Sequence, residues 1–425
     1  MLKKMLTLIF LTTLTLTLFQ SCDSTEPNDK RKLTLSVEDV STTEVRLRLS
    51  TTEIQLPANI SITKNSNFAK LITLKSNDSL FTVDSLQPST SYSLQAIYDA
   101  VKSEPVTAVT MDTTTQNFTF ETVEFGDGFS SSYFNDVWIF DENNIWVVGN
   151  VFTDDSTDGN LYHWNGVYWN AKRPNFVDME GIWGIDNTLY LASVGLWKYE
   201  NDILTRLNIA GTFTQGQGVH KLWGSSESNI WGVGPWGTIV HYDGNGWVKI
   251  EFDNELSFYN ITGNKETGIA YAIGRRTGDI RYIVELKLNE INVLYKSSER
   301  SHLIKSKVIE YYNQKLYLGG SDIVGLKIWE YDLLSNKVIL SKDLVESSKT
   351  MGVGQLALSN VNDIFYIGRE SGVGKMIHFN GIRYTKFNDM LRASDISGGA
   401  HSIENLCVSV GYVNNKAYIT KIKRN

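Results

Sequence analysis

The residues with the most chemical potential in this chain are three histidines that share one spacing. His163-Trp164-Asn165, His241-Tyr242-Asp243 and His378-Phe379-Asn380 each place the imidazole two residues before an Asn or Asp. Imidazole is the commonest metal-binding side chain. Lys198 and Glu330 fill the same place in two further copies of the pattern. A position that tolerates His, Lys and Glu is a repeated strand position, so the histidines are read as structural and no zinc is expected. Asp154, Ser156 and Asp158 stand at alternate places ahead of Gly159, the oxygen spacing that suits calcium. The twelfth place of that loop is Asn165 and not a bidentate Glu. The segment is therefore read as a solvated acidic loop, with a weak calcium site as the alternative and no other cofactor.

Other catalytic signatures are missing. The chain has no Gly-x-Ser-x-Gly elbow, His-Glu-x-x-His or Cys-x-x-Cys. Gly216-Gln217-Gly218, Gly352-Val353-Gly354 and Gly372-Val373-Gly374-Lys375 lack the Lys-Ser/Thr of a phosphate loop. Glycoside hydrolysis needs two placed carboxylates, and 47 acidic residues make some pair inevitable. The remaining candidates are binding groups. Trp236, in Gly234-Pro235-Trp236-Gly237, offers a loop aromatic for stacking on a sugar or peptide. Arg275 and Arg276 follow Gly274 at the equivalent loop of the next repeat, and Arg369 follows Gly368 two repeats later. On one shared rim they would take an anionic or carbohydrate ligand.

The elements that must position these groups are announced by a recurring phrase. Leu222-Trp223-Gly224 through Asn229-Ile230-Trp231-Gly232-Val233-Gly234 repeats Val137-Trp138 through Asn144-Ile145-Trp146-Val147-Val148-Gly149. Anchors at Trp146, Tyr190, Trp231, Tyr271, Tyr317, Phe365 and Cys407 are separated by 44, 41, 40, 46, 48 and 42 residues. A period in the forties built of short strands and turns marks a β-propeller. The pattern resembles the propeller repeats of secreted bacterial proteins, distantly like kelch and WD40 rings, and predicts seven blades over residues 115–425. Asn165-Gly166, Asp243-Gly244 and Asn380-Gly381 predict tight hairpins with both central residues at positive φ. The last repeat has room for three strands only. Phe118 to Phe125 alternates apolar and polar residues and is expected to supply the fourth, closing the ring and covering an exposed edge.

Ahead of the repeats, residues 33–114 alternate like strands with one buried face. Leu86-Gln87-Pro88-Ser89-Thr90-Ser91-Tyr92 resembles the tyrosine corner of fibronectin type III domains, in which the Tyr hydroxyl bonds nearby backbone. The resemblance implies an N-terminal β-sandwich acting as a spacer, with Leu49 in place of the family's strand-B tryptophan. All 11 Trp lie between Trp138 and Trp329, which places a domain boundary near 115–135. Further upstream, Lys3 and Lys4 precede an uncharged apolar stretch from Met5 to Phe19 that ends in Ser21-Cys22. This reads as a secretory signal of residues 1–21, too short to cross a membrane. Its end resembles a bacterial, Bacteroidota-like lipoprotein box, which implies lipidation at Cys22 and a polar tether over 22–32.

A net charge of −7 and scattered basic residues argue against nucleic acid as a partner. The whole is thus an all-β chain, a fibronectin III-like sandwich followed by a seven-bladed propeller. The expected role is a monomeric binding or scaffold protein of the cell envelope, held to the outer membrane by its lipid only. Its partner would be an envelope or surface protein or glycan. A glycan-active enzyme using rim carboxylates is the first alternative, and an extracytoplasmic sensor component the second.

Overall fold

Apolar residues alternate with polar ones along Val45–Thr52 and Ala58–Lys64, and the apolar set is the buried one. A period of two sends successive side chains to opposite faces, so each strand offers one face to a core. The computed structural model describes residues 29–128, 130–153, 159–173, 178–278, 280–297, 307–321, 326–343, 352–370, 373–391 and 398–425. Regular structure among them is entirely β, and none forms a helix long and apolar enough to cross a membrane. Two compact units divide the chain between Thr110 and Met111, the second also taking Ser41–Thr43.

The first unit has two antiparallel sheets. Lys32–Val40, Val45–Thr52 and Asp78–Val83 form one in that order. The other runs Asn67–Leu74, Ala58–Lys64, Ser91–Tyr98, Val101–Lys102, with Val106–Val109 also paired to Ser91–Tyr98. Leu47 and Leu49 of the first sheet share a core with Ile60, Ile62 and Leu94 of the second. Tyr92 is buried, and its hydroxyl oxygen accepts the Gln87 N–H at 2.9 Å. That bond satisfies a turn amide that the sheet ladders leave unpaired.

In the second unit, sheets 1 to 7 begin with Tyr133–Asp141, Gly181–Ile185, Lys221–Ser226, Leu256–Asn264, Val308–Tyr312, Gly352–Asn360 and Ala400–Ile403. Sheets 1 to 6 are antiparallel meanders, and sheet 3 gains Ile209–Ala210 in parallel at its edge. The fourth strand of sheet 7 is Phe118–Phe125, lying antiparallel to Lys416–Arg424 with Phe125 opposite Ala417. Apolar clusters join each sheet to the next in turn: Leu161 with Ile182 (sheets 1 and 2), Tyr190 with Ile230, Val233 with Leu256, and Ile283 with Ile309. Ile328 with Leu356 and Phe365 with Cys407 continue the circuit, and Phe134 with Val410 joins sheet 7 back to sheet 1. Sheets alone expose an apolar face; stacking buries it at about 1.5–3 kcal/mol per Val, Leu or Ile side chain.

The Asn-Gly and Asp-Gly turns differ from expectation. Gly166, Gly244 and Gly381 have φ of 91°, 93° and 95°, but Asn165, Asp243 and Asn380 do not share the left-handed region. Trp164 pairs with Trp169 and Tyr242 with Trp247, leaving four-residue loops. The first side chain caps each loop: Asn165 Oδ1 accepts the N–H groups of Val167 and Tyr168, and Asp243 Oδ1 those of Asn245 and Gly246. Side-chain capping of the backbone two and three residues on replaces the two-residue hairpin geometry. Turns with both residues left-handed occur instead at Asp186-Asn187, Asn313-Gln314 and Asn414-Asn415, between strands of a sheet.

Candidate functional site

The repeated histidines are structural wedges. The His163 ring stacks on Trp146 at 4.0 Å, and its Nε2 meets Asn144 Oδ1 at 3.0 Å. His241 repeats this with Trp231 at 4.0 Å and Asn229 Oδ1 at 2.7 Å. His378 lies against Phe365 at 4.7 Å and bonds Asp363 Oδ1 at 2.7 Å. In sheet 5 the same pair of places holds a Lys315–Glu330 ion pair at 3.1 Å. Each imidazole thus serves the aromatic ring and the strand-opening Asn or Asp of its own sheet. Burial pushes His241 down to about 4, which keeps the ring neutral against the indole. No group of His, Cys, Asp and Glu arranged to hold a metal occurs among the described residues.

Trp236 sits in a built turn. Thr238 N–H bonds Pro235 O at 3.1 Å, and Trp236 and Gly237 both have positive φ, 55° and 70°. A left-handed tryptophan is strained, and the surroundings hold it there. Gln217 Nε2 donates to Trp236 O at 2.7 Å, Trp236 N–H donates to Ser257 Oγ at 3.3 Å, and a Cβ on Gly216 would lie 2.8 Å from Trp236 Nε1. The side chain still keeps 53% of its surface exposed. Arg275 and Arg276 are not in a loop. They are the last residues of the strand Ile269–Arg276, because the ladder to the third strand continues through Arg275–Arg281 and Arg276–Ile280. Arg275 lies opposite Ser257, whose Oγ accepts the Trp236 N–H, so Trp236 and Arg275 both neighbour one residue. Arg276 is committed to Glu255 at 2.6 Å and Asp253 at 3.7 Å. Arg369 likewise lies in a strand, Asp363–Glu370 of sheet 6, two sheets from Arg275. Asp154, Ser156, Asp158 and Cys22 lie outside the described residues.

Sequence reasoning missed a second site. A cavity of about 400 Å³ is lined by the first strands, or residues adjoining them, of all of sheets 1 to 7. Lys221 Nζ reaches Asp136 of sheet 1 at 2.8 Å, past Gly181 of sheet 2. Glu310 is half-buried and its open surface lines the cavity. Burial pushes its carboxyl up to about 8; the Thr262 hydroxyl, donating at 3.2 Å, works against the shift, and the Asp136 charge adds to it. The His401 ring stacks on Trp138 at 4.4 Å, and its Nδ1 accepts the Ile139 N–H at 2.9 Å. Burial, helped by the charge of Lys265, pushes His401 down to about 4. A further hollow of about 680 Å³ shares Trp138, Lys265 and His401 and extends to Asn360 and Glu404. The signal for this site was in the repeat: Asp136 and Lys221 occupy one place, two residues before Trp138 and Trp223.

No protein-family model matches the chain, and no curated protein matches it. Solved structures do. One is YCF48 bound to D1 peptide, with a TM-score of 0.52 and 10% identity over 74% of this chain and 100% of that one. Another is a chain of the Mitotic Checkpoint Complex, with a TM-score of 0.51 and 12% identity over 75% and 98%. At these identities the likeness defines the fold alone, and the fold is an all-β propeller.

Proposed function

We propose that this protein is a non-catalytic binding or scaffold propeller that presents the surface around Trp236 and Arg275 to a protein partner. The observation that carries the reading is the exposed indole of Trp236 in a left-handed turn. Strain kept in place by three flanking contacts is what a preformed recognition loop requires. The fold neighbour YCF48 is bound to a peptide, which supports a protein partner at the level of the fold. In this reading the sheets of the second unit are seven blades closed by Phe118–Phe125. The first unit is a fibronectin III-like spacer, and Cys22 carries the lipid that holds both at the cell envelope. Asp136 and Glu310 share a cavity, but Asp136 is committed to Lys221, which favours binding over glycoside hydrolysis. The test replaces Trp236 with Asn, which accepts the left-handed backbone and removes the indole. Cross-linked partners recovered from the native cells with the parent chain should be lost with Trp236→Asn. Recovery of the same partners would overturn the reading.

A further inference from the structure

We propose that the cavity enclosed by the first strands of sheets 1 to 7 is an oxyanion site, taking a carboxylate or phosphate group, with Lys265, Lys307 and His401 Nε2 as its donors. The charges lining it do not cancel. Lys221 and Asp136 neutralise each other at 2.8 Å, and Asp136 also accepts the backbone N–H groups of Val137 at 3.1 Å and Ile182 at 3.3 Å. Lys265 and Lys307 have no carboxylate partner among the described residues. Lys307 Nζ stands 5.5 Å from the centre of the Tyr259 ring, which Arg281 also covers, so the surrounding face is cationic. Glu404 lines only the outer hollow.

The neutral groups are donors too. His401 accepts at Nδ1 from Ile139, so its neutral ring carries the hydrogen at Nε2. Glu310 is held protonated at neutral pH by its enclosure and takes the Thr262 hydroxyl on Oε2. A protonated carboxyl offers an O–H and no negative charge. The Tyr311 phenol is engaged by Asn264 Nδ2 at 2.8 Å. Two lysines, an imidazole N–H and a carboxylic O–H therefore line one cavity in a chain whose net charge is −7. Charge-assisted bonds to a carboxylate or phosphate are the stronger ones.

The experiment titrates the full-length chain with inorganic phosphate and with acetate at constant ionic strength, following heat release and the His401 imidazole resonances. At pH 7, where the ring is neutral and both anions are ionised, either anion should shift the His401 imidazole resonances by accepting the Nε2–H. A response to phosphate alone assigns the site to phosphoryl groups, and a response to acetate assigns it to carboxylates. Lys265 is exposed, so Lys265→Gln leaves the core intact, and it should weaken binding by about tenfold. Parent affinity should fall as pH rises through 8, when Glu310 ionises and faces the anion, whereas Glu310→Gln should bind evenly from pH 7 to 9. Trp236→Asn should leave all of this unchanged, which separates this site from the proposed partner surface. A His401 signal indifferent to both anions, or a Lys265→Gln chain that binds as tightly as the parent, would overturn the proposal.

Discussion

Trp183 of sheet 2 lies against Gly224 of sheet 3: a Cβ on Gly224 would stand 2.7 Å from Trp183 Cη2 and Cζ2. The contact repeats on both sides. A Cβ on Gly184 would meet Trp138 Cδ1 at 2.7 Å, and one on Gly263 would meet Trp223 Cη2 at 2.5 Å. The Trp-Gly phrase is thus two halves of two different contacts. Each Trp covers the next sheet's Gly, and each Gly makes room for the preceding sheet's Trp. Ladder register extends the rule. The places equivalent to Trp183 are Thr262, Glu310, Ala357 and Ser402 in sheets 4 to 7. The residues at the places equivalent to Gly224 in the following sheets are Tyr311, Leu358, Ile403 and Ile139, all large, and Tyr311 N–H donates to Thr262 Oγ1 at 3.0 Å. Where the indole is missing, the partner place holds a large residue in place of glycine, the exchange that close packing favours.

Gly224→Ala should therefore cost about 1–3 kcal/mol through overpacking. Urea unfolding of the parent and the variant measures it. Combining the change with Trp183→Phe should recover part of the loss, because contacting residues couple. Equal and additive losses would show that the two residues do not share the space.

That relationship also explains what could be read in the sequence. Trp138, Trp183 and Trp223 announced the repeat because a large residue and a glycine at fixed spacing survive wherever the contact survives. Thr262 and Glu310 hid it, since each repeat compensates for its predecessor and not for itself. Tyr92, with Gln87 five residues before it, was legible because the bond is local. The cavity was not. Asp136 and Lys221 meet only when three sheets are stacked, and nothing in a linear segment reveals a partner 85 residues away. Trp236 was recognised as a loop residue, whereas Arg275 and Arg276 were misplaced because the ladder of sheet 4 runs three residues further than that of sheet 3.

The last strand depends on a buried ionic knot. Arg424 Nη2 and His378 Nε2 both reach Asp363 Oδ1, whose side chain is 2% exposed. Phe118 of the incoming strand covers the imidazole at 4.9 Å. Arg424→Ala would leave the Asp363 carboxylate buried without its cation, an outcome that costs about 3 kcal/mol. Chemical denaturation should show that loss, and Asp363→Asn in the same chain should recover part of it. An Arg424→Ala chain as stable as the parent would mean that the carboxylate finds water instead.

Tyr92→Phe keeps the ring and removes the acceptor for the Gln87 N–H. A buried amide left without its partner should cost about 1–2 kcal/mol. Hydrogen exchange at the Gln87 amide localises the effect, which should appear there and leave the amides of sheets 1 to 7 unchanged.

Glu310 gives the second unit a pH dependence whose sign is opposite to that of an ion-paired carboxylate. Its carboxyl is raised from 4.5 to about 8 by burial in the folded chain, while the unfolded chain ionises near 4.5. Below that value both states hold the proton and the group is neutral toward folding. Between about 4.5 and 8 the unfolded state loses its proton first, so it binds fewer protons than the folded state and stability falls as pH rises. Above 8 both are ionised and the penalty stays constant. Glu310→Gln removes the penalty and keeps an amide donor in the cavity. Its melting temperature should match the parent at pH 4.5, pull ahead as pH rises, and hold a constant lead of at least about 2 °C above pH 8. Oxyanions should leave that gap unchanged at pH 7 by stabilising the parent and the variant alike, and widen it at pH 9, where only the variant still binds them. A melting difference that is flat across the range would mean that Glu310 titrates as it does in water, and that the first strands of sheets 1 to 7 do not shield it.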